Sequence, residues 1–430
     1  MSVLQCQSVQ LLVYLYQDHY PFMYRWPLAV DKKTHKLTLL HDTRRGITLL
    51  RKLVPTLLML IMGILSVLDV YLPLPHHGTP EENKIFRIKE DKGLMTSKFW
   101  ITVFVATLQL SASVTAFYTF FHHFEDIIQG SNRILKLYNK FHPRCKFKFD
   151  TTFRAKLARI FYSIKTGDDV FGLVLNITIF SGWIIVPSLP LFLVILNFDP
   201  VLHAFLYISQ NFGVMQATDS NFVMLPSGIF VLRLAIGMLT FYELARICCS
   251  TATLGVLWGE MELANILSVN RARGAFDQIK LYRQVWLCTY LMRWVHGNFL
   301  FLLLSGVGLL VVMSNFCTVR VAMVGKISLG VALCLIYGSV SMGALIQILV
   351  TLCTRRNEEL SKVRNLIRSG GGMLGGIEGK IVRREVKSLR TGCVGISVPG
   401  AFFGHFNKYS KILVVNIIFS KTLDALIIYE

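Results

Sequence analysis

Asn416, Ser420 and Asp424 recur every four positions inside an apolar run near the end of the chain. On a helix that spacing puts all three on one face. Lipid cannot satisfy a polar stripe, so this one calls for water or for another helix. Two readings stand. Either the stripe faces an aqueous pore in which Asp424 favours cations, or it hydrogen-bonds to a neighbouring helix, with Asp424 paired to Lys421 at i,i+3. Val415, Ile418 and Ala425 fall on the opposite side.

Charges inside other apolar runs form a second group. Arg233 sits where it either meets a polar or anionic ligand or snorkels toward headgroups. Glu243 and Arg246 share one run, and Arg293, His296 and Asn298 the next. Antiparallel packing of those two runs would bring Glu243 to Arg293 and relieve both burial costs; ligand binding is the other reading.

Aromatic residues near the run ends form a third group: Phe99, Trp100 and Phe104, then Trp183, then Phe230. With nearby Gln109 and Ser188 they have the composition of a small-molecule pocket. Each also fits plain packing, or the interfacial belt in which Trp is enriched.

Enzyme chemistry is not legible. No His-Glu-x-x-His, Gly-x-Ser-x-Gly or Asp-rich metal box occurs, and no cofactor or metal is expected. The 11 histidines are dispersed, and the doublets His76-His77 and His122-His123 read as loop ends. The nine cysteines show no metal spacing. Only Cys317 falls in an expected outer loop, so no disulfide is expected outside. The run Gly370 to Gly379 has six glycines but no preceding strand and no Gly-Lys-Ser/Thr, and it reads as a linker rather than a phosphate loop.

The elements that carry these residues follow from composition. The chain is 53% hydrophobic and 16% charged over 430 residues. Soluble domains carry roughly a quarter charged residues, so the apolar surplus needs lipid. A spanning helix takes about 20 apolar residues. Runs of that kind fall at 53–73, 98–121, 170–197, 226–250, 287–314, 327–353 and 410–429. The third carries Pro187 and Pro190 and should kink near one face. The last, interrupted by Lys421 and Asp424, is the weakest.

Orientation follows from the basic residues. Of 45 Lys and Arg, 33 lie in 1–52, 122–169, 251–286 and 354–409, and none between Lys165 and Arg233. The loop at 74–97 mixes Glu81, Glu82, Glu90 and Asp91 with Lys84, Arg87, Lys89 and Lys92. The positive-inside bias therefore predicts a cytoplasmic N-terminus and an extracellular C-terminus, the reverse of a G-protein-coupled receptor. A net charge of +20 is accounted for by these loops against anionic headgroups, and nucleic acid is not an expected partner. The first residues lack a signal-peptide pattern, so the first span is expected to direct insertion. Apolar periodicity continues below the membrane at Ile127, Ile128, Ile134, Leu135 and Tyr138. It recurs from Leu254 to Leu267, from Ile279 to Trp286 and from Asn357 to Ile367, which predicts helical extensions.

Seven spans, an inside N-terminus and long inner extensions resemble the arthropod gustatory and odorant receptor superfamily. Gustatory members end in Thr-Tyr, five apolar residues and Gln-Phe. Here Thr422 keeps that spacing, while Leu423, Asp424, Tyr429 and Glu430 depart from it. Leu389-Arg390, the small-residue run Thr391 to Val398 and Phe402-Phe403-Gly404 resemble the penultimate segment. The tail from Val415 to Ile427 is similar to divergent members from springtails and other early-branching arthropods.

The resemblance implies an all-α polytopic protein of the plasma membrane. Its parts would be a cytoplasmic N-terminus (1–52), a six-helix bundle with inner extensions (53–353), a cytoplasmic segment (354–409) and a final pore helix (410–430). It further implies a homo- or hetero-tetramer that senses a small molecule and opens a cation pore. Trp100, Phe104, Gln109, Trp183, Phe230 and Arg233 would then bind ligand. Asn416, Ser420 and Asp424 would line the pore, narrowed at Leu423 and Ile427. A secondary transporter or a non-channel scaffold is the alternative; the absent internal repeat speaks against the transporter.

Overall fold

A computed structural model describes residues 8, 11–12, 14–18, 28–30, 37–39, 45–71, 92–122, 124–142, 170–195, 199–202, 204, 225–272, 274–324, 329–372, 376–389, 393–398 and 401–428. His76-His77, most of the charged loop at 74–97, and Tyr429-Glu430 lie outside them.

The described helices are α1 (Arg45–Tyr71), α2 (Lys92–Phe117), α3 (Phe124–Phe141), α4 (Val170–Ile195), α5 (Leu225–Asn270), α6 (Ala275–Leu291), α7 (Arg293–Val324), α8 (Leu329–Gly372), α9 (Gly376–Lys387) and α10 (Ser410–Ile428). A π-helical turn, Tyr118–His122, joins α2 toward α3. Each run expected to span is helical where it is described, the one from 287 over two helices. Among the described residues four segments are long and apolar enough to cross a membrane: Phe99–Phe117, Gly228–Asn270, Val295–Arg320 and Leu335–Gly370. A fifth, Phe171–Ile184 with Ser188–Ile195, bends by 42°. The bend falls between Ile184 and Ser188, the stretch that contains Pro187, and a proline lacks the backbone donor a helix uses. Thr56–Asp69 is a shorter apolar helix, and α10 falls outside the set because its charges interrupt it.

The expected inner extensions are helical. Ile127, Ile128, Ile134, Leu135 and Tyr138 of α3 are all buried, against α5. α5 runs unbroken for 46 residues and α8 for 44. Leu254, Leu257, Met261, Leu263 and Ile266 are buried on α5, while Leu267 turns outward. A separate apolar cluster gathers Ile266, Val269, Ile279, Tyr282, Val285, Leu360, Val363, Val382 and Val386 from α5, α6, α8 and α9. It is a second core, built where those helices extend past the membrane-length runs. Burial there pushes the Tyr282 phenol up to about 12.

Three features depart from the sequence reading. The run expected to span from 287 is broken at Met292, so Ala275–Leu291 is a helix of its own and α7 starts at Arg293. Within the glycine run, helix covers Gly370 to Gly372 and resumes at Gly376, whose φ of 68° suits a residue without Cβ. The segment read as small residues is a hairpin, β3 (Gly395–Val398) with β4 (Ala401–His405), bulged between Ile396 and Ser397 opposite Gly404 at φ 143°. A short pair, β1 (Leu28–Val30) with β2 (Leu37–Leu39), lies nearer the N-terminus.

The N-terminal apolar stretch proves to be structural. Leu11, Leu12, Leu15 and Tyr16 insert among Leu175 and Ile179 of α4, Val256 of α5, Phe299 of α7 and Leu349 of α8. The Tyr16 hydroxyl donates to the Ile179 carbonyl at 3.3 Å. A buried phenol needs such a partner.

Candidate functional site

The last helix is held to the bundle by one face. Val414 and Ile418 pack beside Val311 of α7 and Ile346 and Val350 of α8, and Ala425 and Leu426 join the main core. Asn416, Ser420, Leu423 and Ile427 point away from that contact and are exposed. Asn416 and Ser420 thus share the open side, with Asp424 partly covered and Ile418 and Ala425 opposite them. Val415 is the exception and stands half exposed. Lys421 Nζ donates to Asp424 Oδ2 at 2.9 Å, and both side chains are open to the surroundings.

The base of α10 is tied down by a hairpin lying on α7. A Cβ at Gly297 would collide with Ser397 Oγ and stand 3.3 Å from the Gly395 carbonyl, so only glycine lets β3 lie this close. Phe301 of α7 stacks on Phe403, and the Arg293 guanidinium sits 5.1 Å above the Phe402 ring. Burial, and then Arg293, lowers the pKa of His405 beside them.

The charge pairs differ from expectation. Glu243 accepts from Arg246 at 2.6 Å on its own helix, one turn away, and Arg293 is spent on Phe402 instead. The local pair wins because i,i+3 residues on one helix already face each other. Arg233 does not snorkel. It is buried, forms an ion pair with Asp199 and donates to the Val194 carbonyl at 3.1 Å. Asp199 also accepts from the Leu202 amide at 3.0 Å, an N-cap ahead of Pro200.

The other expected ligand residues are spread over two cores. Trp100 and Phe104 lie in the main cluster, with the Trp100 ring edge-on to Phe99 at 4.8 Å and to Phe316 at 4.4 Å. Gln109 is fully buried, with Ser66 Oγ 3.4 Å from its oxygen. Trp183 packs against the second cluster, around Tyr16, and Phe230 is half-buried on α5. None of the six lines the cavity described next.

That cavity, of about 40 Å³, lies among α5, α7, α8 and Val394. Glu262, His296 and Arg356 line it together with Trp258, Phe299 and Leu352. Arg356 Nε meets Glu262 Oε2 at 2.5 Å, and Arg356 Nη2 donates to Thr289 Oγ1 at 2.6 Å. Glu262 Oε1 stands 3.9 Å from His296 Nδ1, beyond hydrogen-bond reach. One residue on, Asn357 bonds to the backbone of Val394 and Phe406. The sequence reading missed this polar centre. Glu262 and Arg356 lie 94 positions apart, and the signal available was two acids, Glu260 and Glu262, inside the apolar stretch from Leu254 to Leu267. Among the described residues no cluster could hold a metal ion, and Cys248, Cys249, Cys288, Cys317, Cys353 and Cys393 form no disulfide.

No protein-family model matches the sequence, and no curated protein matches it. Solved structures do. The insect olfactory receptor OR5 from Machilis hrabei in complex with eugenol superposes with a TM-score of 0.57 at 11% identity, covering 99% of this chain and 97% of that one. A second structure of that receptor gives 0.57 at 10%, covering 98% and 96%. The chain has the fold of the insect olfactory receptors. Likeness over both whole lengths is what decides it, because a shared fragment would leave one chain partly uncovered. The insect olfactory receptor likeness runs through every described helix, from α1 to α10.

Proposed function

We propose that the chain is a chemosensory receptor of the plasma membrane, one subunit of a small-molecule-gated cation channel. In this reading it spans the membrane seven times, with its N-terminus in the cytoplasm and α10 lining the pore of a tetramer. The observation that carries the proposal is the stripe of Asn416 and Ser420, turned away from the one face by which α10 is packed. An exposed polar stripe on a membrane helix needs water or a like helix opposite it, and a central pore supplies both. Leu423 and Ile427 share the outward face and would form the apolar constriction, while Asp424 would select cations. The bound small molecule would contact Trp100, Phe104, Gln109, Trp183, Phe230 and Arg233. The neighbour bound to eugenol supports a ligand of that size class.

The test is expression in cells with calcium imaging across volatile, bitter and sugar panels, followed by patch recording. Ligand-evoked cation current is the expected result, and its class of agonist assigns odour or taste. Surface-expressed protein that passes no current for any panel member would overturn the reading.

A further inference from the structure

The amide of Asn357 directs three hydrogen bonds to the neck of the hairpin, and its Oδ1 also accepts from Arg356 Nη1 at 3.4 Å. Nδ2 donates to the Val394 carbonyl at 2.9 Å and to the Phe406 carbonyl at 3.0 Å, and Oδ1 accepts from the Val394 amide at 2.9 Å. Val394 and Phe406 are the residues on either side of the hairpin, and Phe406 N reaches back to Val394 O at 3.4 Å. One buried side chain thus grips the chain where it enters the hairpin and where it leaves.

The exit leads directly into the last helix. Asn407 Oδ1 accepts from the Tyr409 amide at 2.9 Å, Ser410 Oγ accepts from the Asn407 amide at 2.9 Å, and α10 starts at Ser410. Thr354, one turn before Asn357 on the same face of α8, stands 3.3 Å from the Asn407 carbonyl. Between them Arg356 is fastened to Glu262 of α5 and Thr289 of α6. The turn 354–357 is therefore braced by two other helices and holds Val394, Phe406 and Asn407, the last two just ahead of α10.

We propose that Asn357 is a positioning residue that pins the foot of the last helix, so that α10 pivots there when the channel opens. The proposal rests on the reading of α10 as the pore helix. Asparagine is the side chain that fits, because the neck offers two acceptors and one donor in a plane. Aspartate cannot donate, and two carbonyls facing its carboxylate would repel it; glutamine overshoots by one methylene.

The test uses the full chain in nanodiscs and in cells, as wild type, Asn357→Asp, Asn357→Gln and Thr354→Val. Hydrogen exchange across 393–408 should quicken at least tenfold in Asn357→Asp and less in Thr354→Val, while the buried parts of α5 and α7 keep wild-type exchange. Currents from Asn357→Asp should then appear without agonist, or show an activation midpoint moved at least threefold, at wild-type surface level. Unchanged exchange at the hairpin overturns the proposal. So does exchange that rises uniformly through all helices, which would mean a general structural role, and so does a loosened hairpin with unaltered gating. If the wild type carries no current, the channel reading falls. The exchange data still decide whether Asn357 holds the foot of α10. If Asn357→Asp fails to fold, Thr354→Val and Asn357→Gln carry both measurements.

Discussion

Arg233 of α5 and Asp199, which follows α4, form a buried ion pair in which both nitrogens of one edge of the guanidinium reach the carboxylate. The Val194 carbonyl accepts a further bond from the same arginine. Breaking a buried pair from one side strands a charge and costs about 3–5 kcal/mol. Arg233→Met should therefore lower the melting temperature of purified protein sharply. Asp199→Asn on that background removes the stranded charge, keeps the N-cap and should restore most of the loss. If this double variant responds to agonist as wild type does, Arg233 makes no ligand contact.

Asp424 offers a cleaner separation of stability from function. Its pairing with Lys421 is exposed, and such pairs contribute at most about 1 kcal/mol. Asp424→Asn should reach the membrane normally, with cation preference reduced, and Asp424→Lys should reduce it further. Reversal potentials in asymmetric salt read this directly. Unaltered selectivity in Asp424→Lys removes the pore role.

Glu262 and Arg356 are the buried pair on which α5 and α8 meet. Glu262→Gln leaves the buried guanidinium short of its countercharge, a loss of about 3–5 kcal/mol. The expected outcome is poor yield and early thermal unfolding, seen by fluorescence-detected size exclusion. Wild-type stability in Glu262→Gln would show that Thr289 and Asn357 suffice to hold Arg356.

Hairpin docking should weaken in acid. The pKa of His405 lies below its ordinary value, so the docked state holds the ring neutral while the undocked state takes up a proton first. The associated stability is complete above about pH 6.5 and falls as pH drops through the lowered value. Arg293, over Phe402, is the cation that opposes the second charge. Protection at 395–405, taken relative to the intrinsic exchange rate at each pH, should fall between neutral and mildly acidic pH, and His405→Asn should flatten the dependence.

Much of the helix layout was legible because period and length carry it. Ile127, Ile134 and Tyr138 announce a buried face by spacing alone, and Pro187 announces the bend. The same holds for α10: a repeat of four fixed Asn416 and Ser420 on one side before any partner was known. What spacing could not give was pairing across long separations. Arg233 finds Asp199, not lipid, and Glu262 finds Arg356, because tertiary packing chooses partners that no local pattern records. Glu243 shows the reverse case, where a partner three residues away outcompetes one expected on the next helix. The hairpin escaped notice because its glycines and small side chains lack strand alternation. Their smallness serves close approach to Gly297 rather than any period.

α5 deserves a calculation of its own dimensions. At 1.5 Å per residue its 46 residues make a rod about 69 Å long, against a hydrocarbon layer of roughly 30 Å. Wherever the bilayer sits along it, more than half of the rod stands in water or headgroups. A detergent or lipid belt would then girdle a minority of the molecule's height, and most of its outline in projection images would be bare protein.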